Sequence, residues 1–449
     1  MSATGRSFSC IIAVGLCALG VPQPAAGAIL AAWVQLTGPG RDASLRVITD
    51  DPRCPDFQAD GDVQRMETRA EPGPLFSGRG DLPEADFPVR VCEASVPPGT
   101  TRVKLAGKAV PIPRPDIRRI VIFGDTGCRI KKKKTQDCND PDEWPYARLA
   151  AHAAEEARPD LVIHVGDYLY REKPCKGRAT KCPNSPTGYG WDIWDLDFFA
   201  PSKPLFAAAP WIMVRGNHET CRRAGEGWFR FLDRSPPQTS CGKTSPSFVA
   251  ALGAIGFVVM DSAAVADASK ADDEDDDDDD DEAGQTGGLT GALADNYRAI
   301  VSAIPPDTWV LTHAPFKGVR VDRATGETDT DNTILQEAVG SLLSASIVMI
   351  VSGHIHMFEA INFADGSPPQ LVVGTGGDKL AKQPDEPSEV AGIQVAKPRP
   401  LILKNFGYMV WERTAGNGQS WNGKLIGTDG RAFARCQLAG RQLACAKMP

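Results

Sequence analysis

Leu161-Val-Ile-His-Val-Gly-Asp-Tyr-Leu-Tyr170 is an apolar run that halts at Gly166-Asp167 and then offers a phenol at Tyr170. A short run of this kind, stopped by glycine, predicts a buried strand that delivers Asp167 and Tyr170 to one spot. Alone, the stretch is an ordinary strand and turn, with Tyr170 equally suited to a core. Its weight comes from other runs that end the same way. Ile120 to Phe123 stops at Gly124-Asp-Thr-Gly127, Trp211 to Val214 at Arg215-Gly-Asn-His-Glu219, Trp309 to Leu311 at Thr312-His-Ala-Pro315, and Ile347 to Val351 at Gly353-His-Ile-His356.

Helical patterns over Glu143 to Arg158 and Ile334 to Leu343 alternate with these strands, and Ile255 to Met260 adds another strand. The alternation predicts a layered α/β domain from residue 116 to 449. Open α/β sheets bind ligands at the carboxyl ends of their strands. Asp125, Asp167, Asn217, His218, His313, His354 and His356 are therefore expected to share one site. Of six histidines in the chain, four fall on strand ends, while His152 within a helix and His164 inside a strand read as structural. Carboxylate, amide and imidazole suit first-row metal ions, and a phenolate favours a trivalent ion such as iron. Asp167, with two oxygens, can bridge two ions. Paired ions ~3.5–4 Å apart polarise a phosphoryl oxygen and lower the pKa of bound water from about 16 towards 7. His218, beside the ligand Asn217, is placed to stabilise phosphoryl oxygens or to protonate a leaving group.

Taken in order, GDTG at 124–127, GDYLY at 166–170, GNHE at 216–219, VLTH at 310–313 and GHIH at 353–356 resemble the motif blocks of calcineurin-like metallophosphoesterases. Within that superfamily they look like the purple acid phosphatase branch. Gly127 stands where most of the superfamily has a histidine, and Tyr170 supplies a ligand instead. The resemblance implies a four-layer α/β/β/α sandwich preceded by a small β-rich N-terminal domain. It implies a first metal, Fe(III), bound by Asp125, Asp167, Tyr170 and His356. A second metal, Zn(II), Mn(II) or Fe(II), would be bound by Asp167, Asn217, His313 and His354. The implied activity is acid phosphatase-like hydrolysis of small phosphate monoesters by a metal-bound hydroxide, with Asp167 and His218 as catalytic residues. There is one departure: Ala314 to Arg320 carries no further histidine, leaving Lys317 and Arg320 as possible phosphate contacts. A phosphodiesterase acting on nucleotide or phospholipid-type diesters therefore stays open. From another class, a non-catalytic metal-containing binding or scaffold protein would also keep the ligands.

The remaining chain sets the context. Residues 1–28 read as a signal peptide, with Arg6 as the early charge, an apolar stretch from Ser9 to Val21 and a small-residue cleavage site at Ala26-Gly27-Ala28. That stretch is shorter than the ~20 residues of a spanning helix, so no membrane span is expected after cleavage and the protein is expected to be secreted or periplasmic. Of twelve cysteines, Cys10 and Cys17 fall in the leader; the other ten suggest local disulfides pairing 54 with 92, 128 with 138, 175 with 182, 221 with 241 and 436 with 445. Residues 29–115, rich in Pro, Gly and short runs such as Ala32 to Leu36, Ser44 to Ile48 and Phe87 to Val91, predict a small β-sandwich-like domain. The net charge of −8 comes from an unbroken acidic run at 272–282, read as a solvated insert. Without it the chain is near neutral, which excludes a nucleic-acid surface built on bulk charge. The basic run Arg129 to Lys134 reads either as a solvated loop or as a patch that attracts anionic substrates. Trp191, Trp194, Phe198, Phe199 and Trp228 to Phe231 read as core.

Overall fold

Successive residues of a strand face opposite ways, and in the run Ile120 to Phe123 both faces are apolar, so the strand must be covered twice. The computed structural model describes Met1 and residues 27–38, 42–76, 83–131, 134–174, 182, 185–268, 288–321, 328–330, 333–384, 396, 399–414 and 420–449. Residues 2–26 of the leader, the acidic run, Cys175 and Lys132 to Lys133 lie outside the described residues.

The strands that matter for function are β1 (Ile29–Leu36), β2 (Ala43–Thr49), β3 (Arg119–Phe123), β4 (Leu161–His164), β5 (Trp211–Met213), β6 (Ile255–Val259), β7 (Thr308–Leu311), β8 (Ile347–Ser352), β9 (Gln370–Val373) and β10 (Gly407–Arg413). Among the described residues, eleven strands form a first sheet whose centre runs β10-β3-β4-β5-β1-β2, and seven form a second containing β6-β7-β8-β9. β3, β4 and β5 are parallel, as are β6 to β9.

Ile120, Ile122, Leu161, Ile163 and Ile212 of the first sheet pack against Phe257, Trp309, Leu311, Val351 and Leu371 of the second. Val121, Phe123, Val162 and Trp211 point outward onto Tyr146, Leu149, Trp194, Phe198, Phe206 and Phe231 of the helical segments. On the far side Val258, Val310 and Ile350 pack against Leu293, Tyr297, Leu335 and Val339. The order is therefore helix, sheet, sheet, helix, and the aromatic group from Trp194 to Phe231 is core.

The β-rich region precedes this sandwich and shares its first sheet. β1 pairs in parallel with β5 through Gln35 and Trp211, and Trp33 stacks within 5.5 Å of Phe199 and Phe206. Strands Asp56–Ala59 and Val103–Leu105 close a second, smaller core over Val34, Leu45 and Val47, tied by the Cys54–Cys92 disulfide. Arg46 and Arg69, paired with Glu93 at 3.2 Å, donate to the carbonyls of Phe229, Arg230, Phe231 and Asp233. The first three of those carbonyls end the helix Gly225–Phe231, whose last turn has no intrahelical donors for them.

At two elements a proline delays the start relative to the sequence reading. The helix expected from Glu143 starts at Tyr146, because Pro145 disfavours helical geometry in the residue before it. The strand expected at Phe87 starts at Arg90, because Pro88 has no N–H for the ladder. Among the described residues no helix is long and apolar enough to cross a membrane.

Candidate metal centre

The strand ends converge. Asp125 follows β3, Asp167 follows β4, Asn217 and His218 follow β5, His313 follows β7, and His354 and His356 follow β8; every one of them is buried. Asp125, Asp167 and His354 all hold left-handed backbone, with φ of 56°, 59° and 69°. Such conformations cost about 1–3 kcal/mol each for non-glycine residues and persist only where the surroundings fix them. Gly166, with φ of 102°, brings the chain so close to β7 that a Cβ there would lie 2.5 Å from His313 Nδ1.

Two sets of ligand atoms lie within 4.8 Å of one another, Asp125–Asp167–His356 and Asp167–His313–His354. They share Asp167. In the first set the Tyr170 hydroxyl is 2.7 Å from Asp167 Oδ2, 3.0 Å from Asp125 Oδ1 and 3.0 Å from His356 Nε2. In the second, Asn217 Oδ1 lies 2.9 Å from His313 Nε2 and 3.2 Å from His354 Nδ1. A Cβ at Gly127 would meet Tyr168 O at 2.7 Å and Tyr170 N at 2.8 Å, so no side chain fits at 127 and the phenol fills the site from the other strand.

The imidazoles are aimed by their outer nitrogens. His313 Nδ1 lies 2.8 Å from the Val165 carbonyl, which can only accept. His356 Nδ1 faces Asp378 Oδ2 at 3.0 Å and the Lys379 carbonyl at 3.1 Å. Both Nε2 atoms are thereby left as donors of electron pairs, the arrangement seen around ligated ions.

Electrostatics point the same way. Burial pulls the His313 imidazole down, but Asp167 and Asp125 reverse this and raise it to about 9. His356 is driven well above its usual range by Asp378 and Asp125 against burial. Burial raises Tyr170 far above the ordinary phenol value, and the neighbouring Asp125 and Asp167 carboxylates add to it. Two carboxylates, a phenol and three imidazoles packed this tightly draw positive charge inward, which a pair of metal ions would supply.

The family model for calcineurin-like phosphoesterases matches residues 118–358, more than half the chain. The chain belongs to the calcineurin-like phosphoesterases. No curated protein sequence matches it. The solved structure of PhoD shares the fold, with a TM-score of 0.54 at 14% identity over 96% of this chain and 94% of that one. GAP50, the anchor in the inner membrane complex of Plasmodium, is more distant, with a TM-score of 0.44 at 13% identity, 72% of this chain and 89% of that one. Membership of the calcineurin-like phosphoesterases implies two metal ions, and two ligand sets meeting at Asp167 fit that number.

Around these candidate ligands stand His218, which the sequence reading placed here, and Glu172, Glu219 and Asp197, to which it gave no role. The His218 ring lies 4.0 Å from that of Tyr170, tilted by 46°, its backbone N–H donates to Asp167 Oδ1 at 2.9 Å, and its Nδ1 lies 2.7 Å from Glu172. Burial would raise the Glu172 carboxyl, but Arg223, His218 and Lys131 hold it well below the usual range. Glu219 accepts from the backbone N–H groups of Asp167, Tyr168 and Gly216; burial and the neighbouring Asp167 push its carboxyl up to about 8. Asp197 holds Arg171 at 2.5 Å and accepts from the Cys128 and Tyr170 backbone.

The basic run is corrected in part. Arg129 and Lys131 are buried, Lys131 lying 3.5 Å from Glu172, because the Cys128–Cys138 disulfide folds the segment against the site. Lys317 is engaged by Asp365 at 2.5 Å and Ser367 at 3.1 Å, and Arg320 lies on the short strand Val319–Val321. His164 contacts Thr126 Oγ1 at 2.9 Å and His152 contacts the Tyr408 hydroxyl at 2.7 Å, both structural roles. Disulfides Cys221–Cys241 and Cys436–Cys445 are formed as expected; the pairing of Cys182 with Cys175 lies outside the described residues.

Proposed function

We infer that this calcineurin-like phosphoesterase is an exported, purple acid phosphatase-like enzyme hydrolysing small phosphate monoesters. The observation that carries the reading is the Tyr170 hydroxyl within 3.0 Å of Asp125, Asp167 and His356, opposite a glycine with no room for a side chain. A phenolate in that ligand set favours Fe(III) at the first position, with Asp125, Asp167, Tyr170 and His356. Asp167, Asn217, His313 and His354 would hold Zn(II), Mn(II) or Fe(II). When bound, the ions supply Lewis acidity towards the phosphoryl oxygens and lower the pKa of the attacking water.

The protein's own groups do the rest. Asp167 joins the two positions. His218, held between Tyr170 and Glu172, stabilises the phosphoryl oxygens or hands a proton to the leaving group. Lys317 and Arg320 are proposed substrate contacts; Lys317 would leave Asp365 to reach a phosphate, so Lys317→Ala and Arg320→Ala should raise KM more than they lower kcat. Export is supported by the disulfides and by the leader read from residues 1–28. We also propose a boundary near residue 115 between the β-rich domain and the phosphoesterase domain.

Iron content, visible spectrum and hydrolysis of an aryl phosphate against its bis-aryl diester test the reading together. A coloured protein that prefers the monoester supports it; a diester preference replaces it with the phosphodiesterase. His218→Ala should cost about 10²- to 10⁴-fold in kcat. Unchanged hydrolysis after Asp167→Ala would instead support a non-catalytic role for the site.

A further inference from the structure

Arg129 belongs to the basic run after the first motif, yet its guanidinium is buried and engaged on two sides. Nε and Nη2 meet the Asp378 carboxylate at 2.6–3.0 Å, and Cζ lies 4.8 Å from the centre of the Tyr170 ring. Asp378 in turn faces His356 Nδ1 at 3.0 Å, and its backbone N–H donates to the Asp125 carbonyl at 2.9 Å. The arginine is held from its own side too. Its N–H donates to Gln136 Oε1 and its carbonyl accepts from the Gln136 N–H, both at 2.9 Å, and the Cys128–Cys138 disulfide closes this turn. A cation fixed over an aromatic face attracts the ring electrons, and the attraction grows where water is excluded.

We propose that Arg129 is a positioning residue of the Tyr170 metal position. Its charge holds the phenolate's donor electrons more tightly, and its fork, through Asp378, fixes His356. The proposal rests on Tyr170 binding Fe(III). Colour then arises when light moves an electron from the phenolate to the iron, so a more tightly held electron means a shorter wavelength. Removing the cation moves the band to longer wavelength.

The test compares the whole protein with Arg129→Gln, which keeps a planar hydrogen-bonding head without charge, and with Arg129→Lys, which keeps charge without the fork. Iron content and the visible spectrum are measured for each. The expected result is a band at longer wavelength in Arg129→Gln and a band near the native position in Arg129→Lys. Equal shifts in the two variants, no shift in Arg129→Gln, or equal loss of iron from both would overturn the proposal, since shape rather than charge would then govern the site. A native protein that binds iron without any such band would sink the iron–tyrosinate reading itself, and this proposal with it.

Discussion

Asp167 is where the two ligand sets meet, and its neighbours show how little freedom it has. Gly166→Ala should destabilise the protein by about 1–3 kcal/mol, from left-handed strain alone, and displace His313. Thermal unfolding with metal content would show both effects, and an unchanged metal content would argue that β7 can retreat. Tyr170→Phe should abolish the visible band while leaving the fold intact, because only the hydroxyl reaches the ligand atoms. A milder effect belongs to Asp365. Slight burial raises its carboxyl, but Lys317 and Ser367 bring it down to about 2. A depressed carboxyl stabilises the fold fully above the ordinary carboxylate range and ceases to do so as pH falls through about 2. For so exposed a pair the contribution is about 1 kcal/mol or less, so Asp365→Asn should lower the unfolding midpoint slightly at pH 7, and the difference should shrink towards nothing as pH falls through about 2. The candidate ligands could be named from the sequence because each lies at or just past a strand end whose hydrophobic run and glycine are local signals. Glu172, Arg129 and Asp378 could not be, since their partners come from tertiary folding: Arg129 and Asp378 are 249 positions apart. One signal was present, for β9 ends at Gly374-Thr-Gly-Gly-Asp378 in the same manner as the other strands.

At the level of elements, the strands followed from their apolar runs, while two of the element starts depended on prolines. The turn between Cys128 and Cys138 could not be read from sequence as part of the site, because a run of lysines and arginine looks solvated until something is known to cover it. Its disulfide spans 10 positions, for which chain-entropy arguments give about 2–3 kcal/mol of stabilisation. Replacing both cysteines with serine should therefore lower the unfolding free energy by about that amount. If the turn also holds Arg129 in place, the visible band should broaden and weaken in the same variant. A band unaltered despite the lost stability would separate the disulfide's role from the site's.

For the whole molecule, the alternation of apolar strands with helices made a layered α/β domain legible, while the two-sheet sandwich with helices outside came from the family resemblance. The attachment of the β-rich region was not legible, because it depends on edge-to-edge strand pairing and on Arg46 and Arg69 reaching carbonyls more than 150 positions away. Arg69→Met would leave Glu93 and several carbonyls less well satisfied in a dry interior, and should cost about 3–5 kcal/mol in thermal or denaturant unfolding. A cost near zero would mean that Arg46 alone suffices. The parallel pairing of β1 with β5 also bears on how this protein can be cut. Sequence matching draws its border at residue 118, but a chain trimmed there would leave β5 with a bare hydrogen-bonding flank and strip Trp33 from Phe199 and Phe206. Such a flank is an adhesive surface for other chains. The recognisable stretch is thus smaller than the smallest piece that should remain dispersed in solution, and the leading strands serve as the selvedge that keeps the catalytic sheet from unravelling into its neighbours.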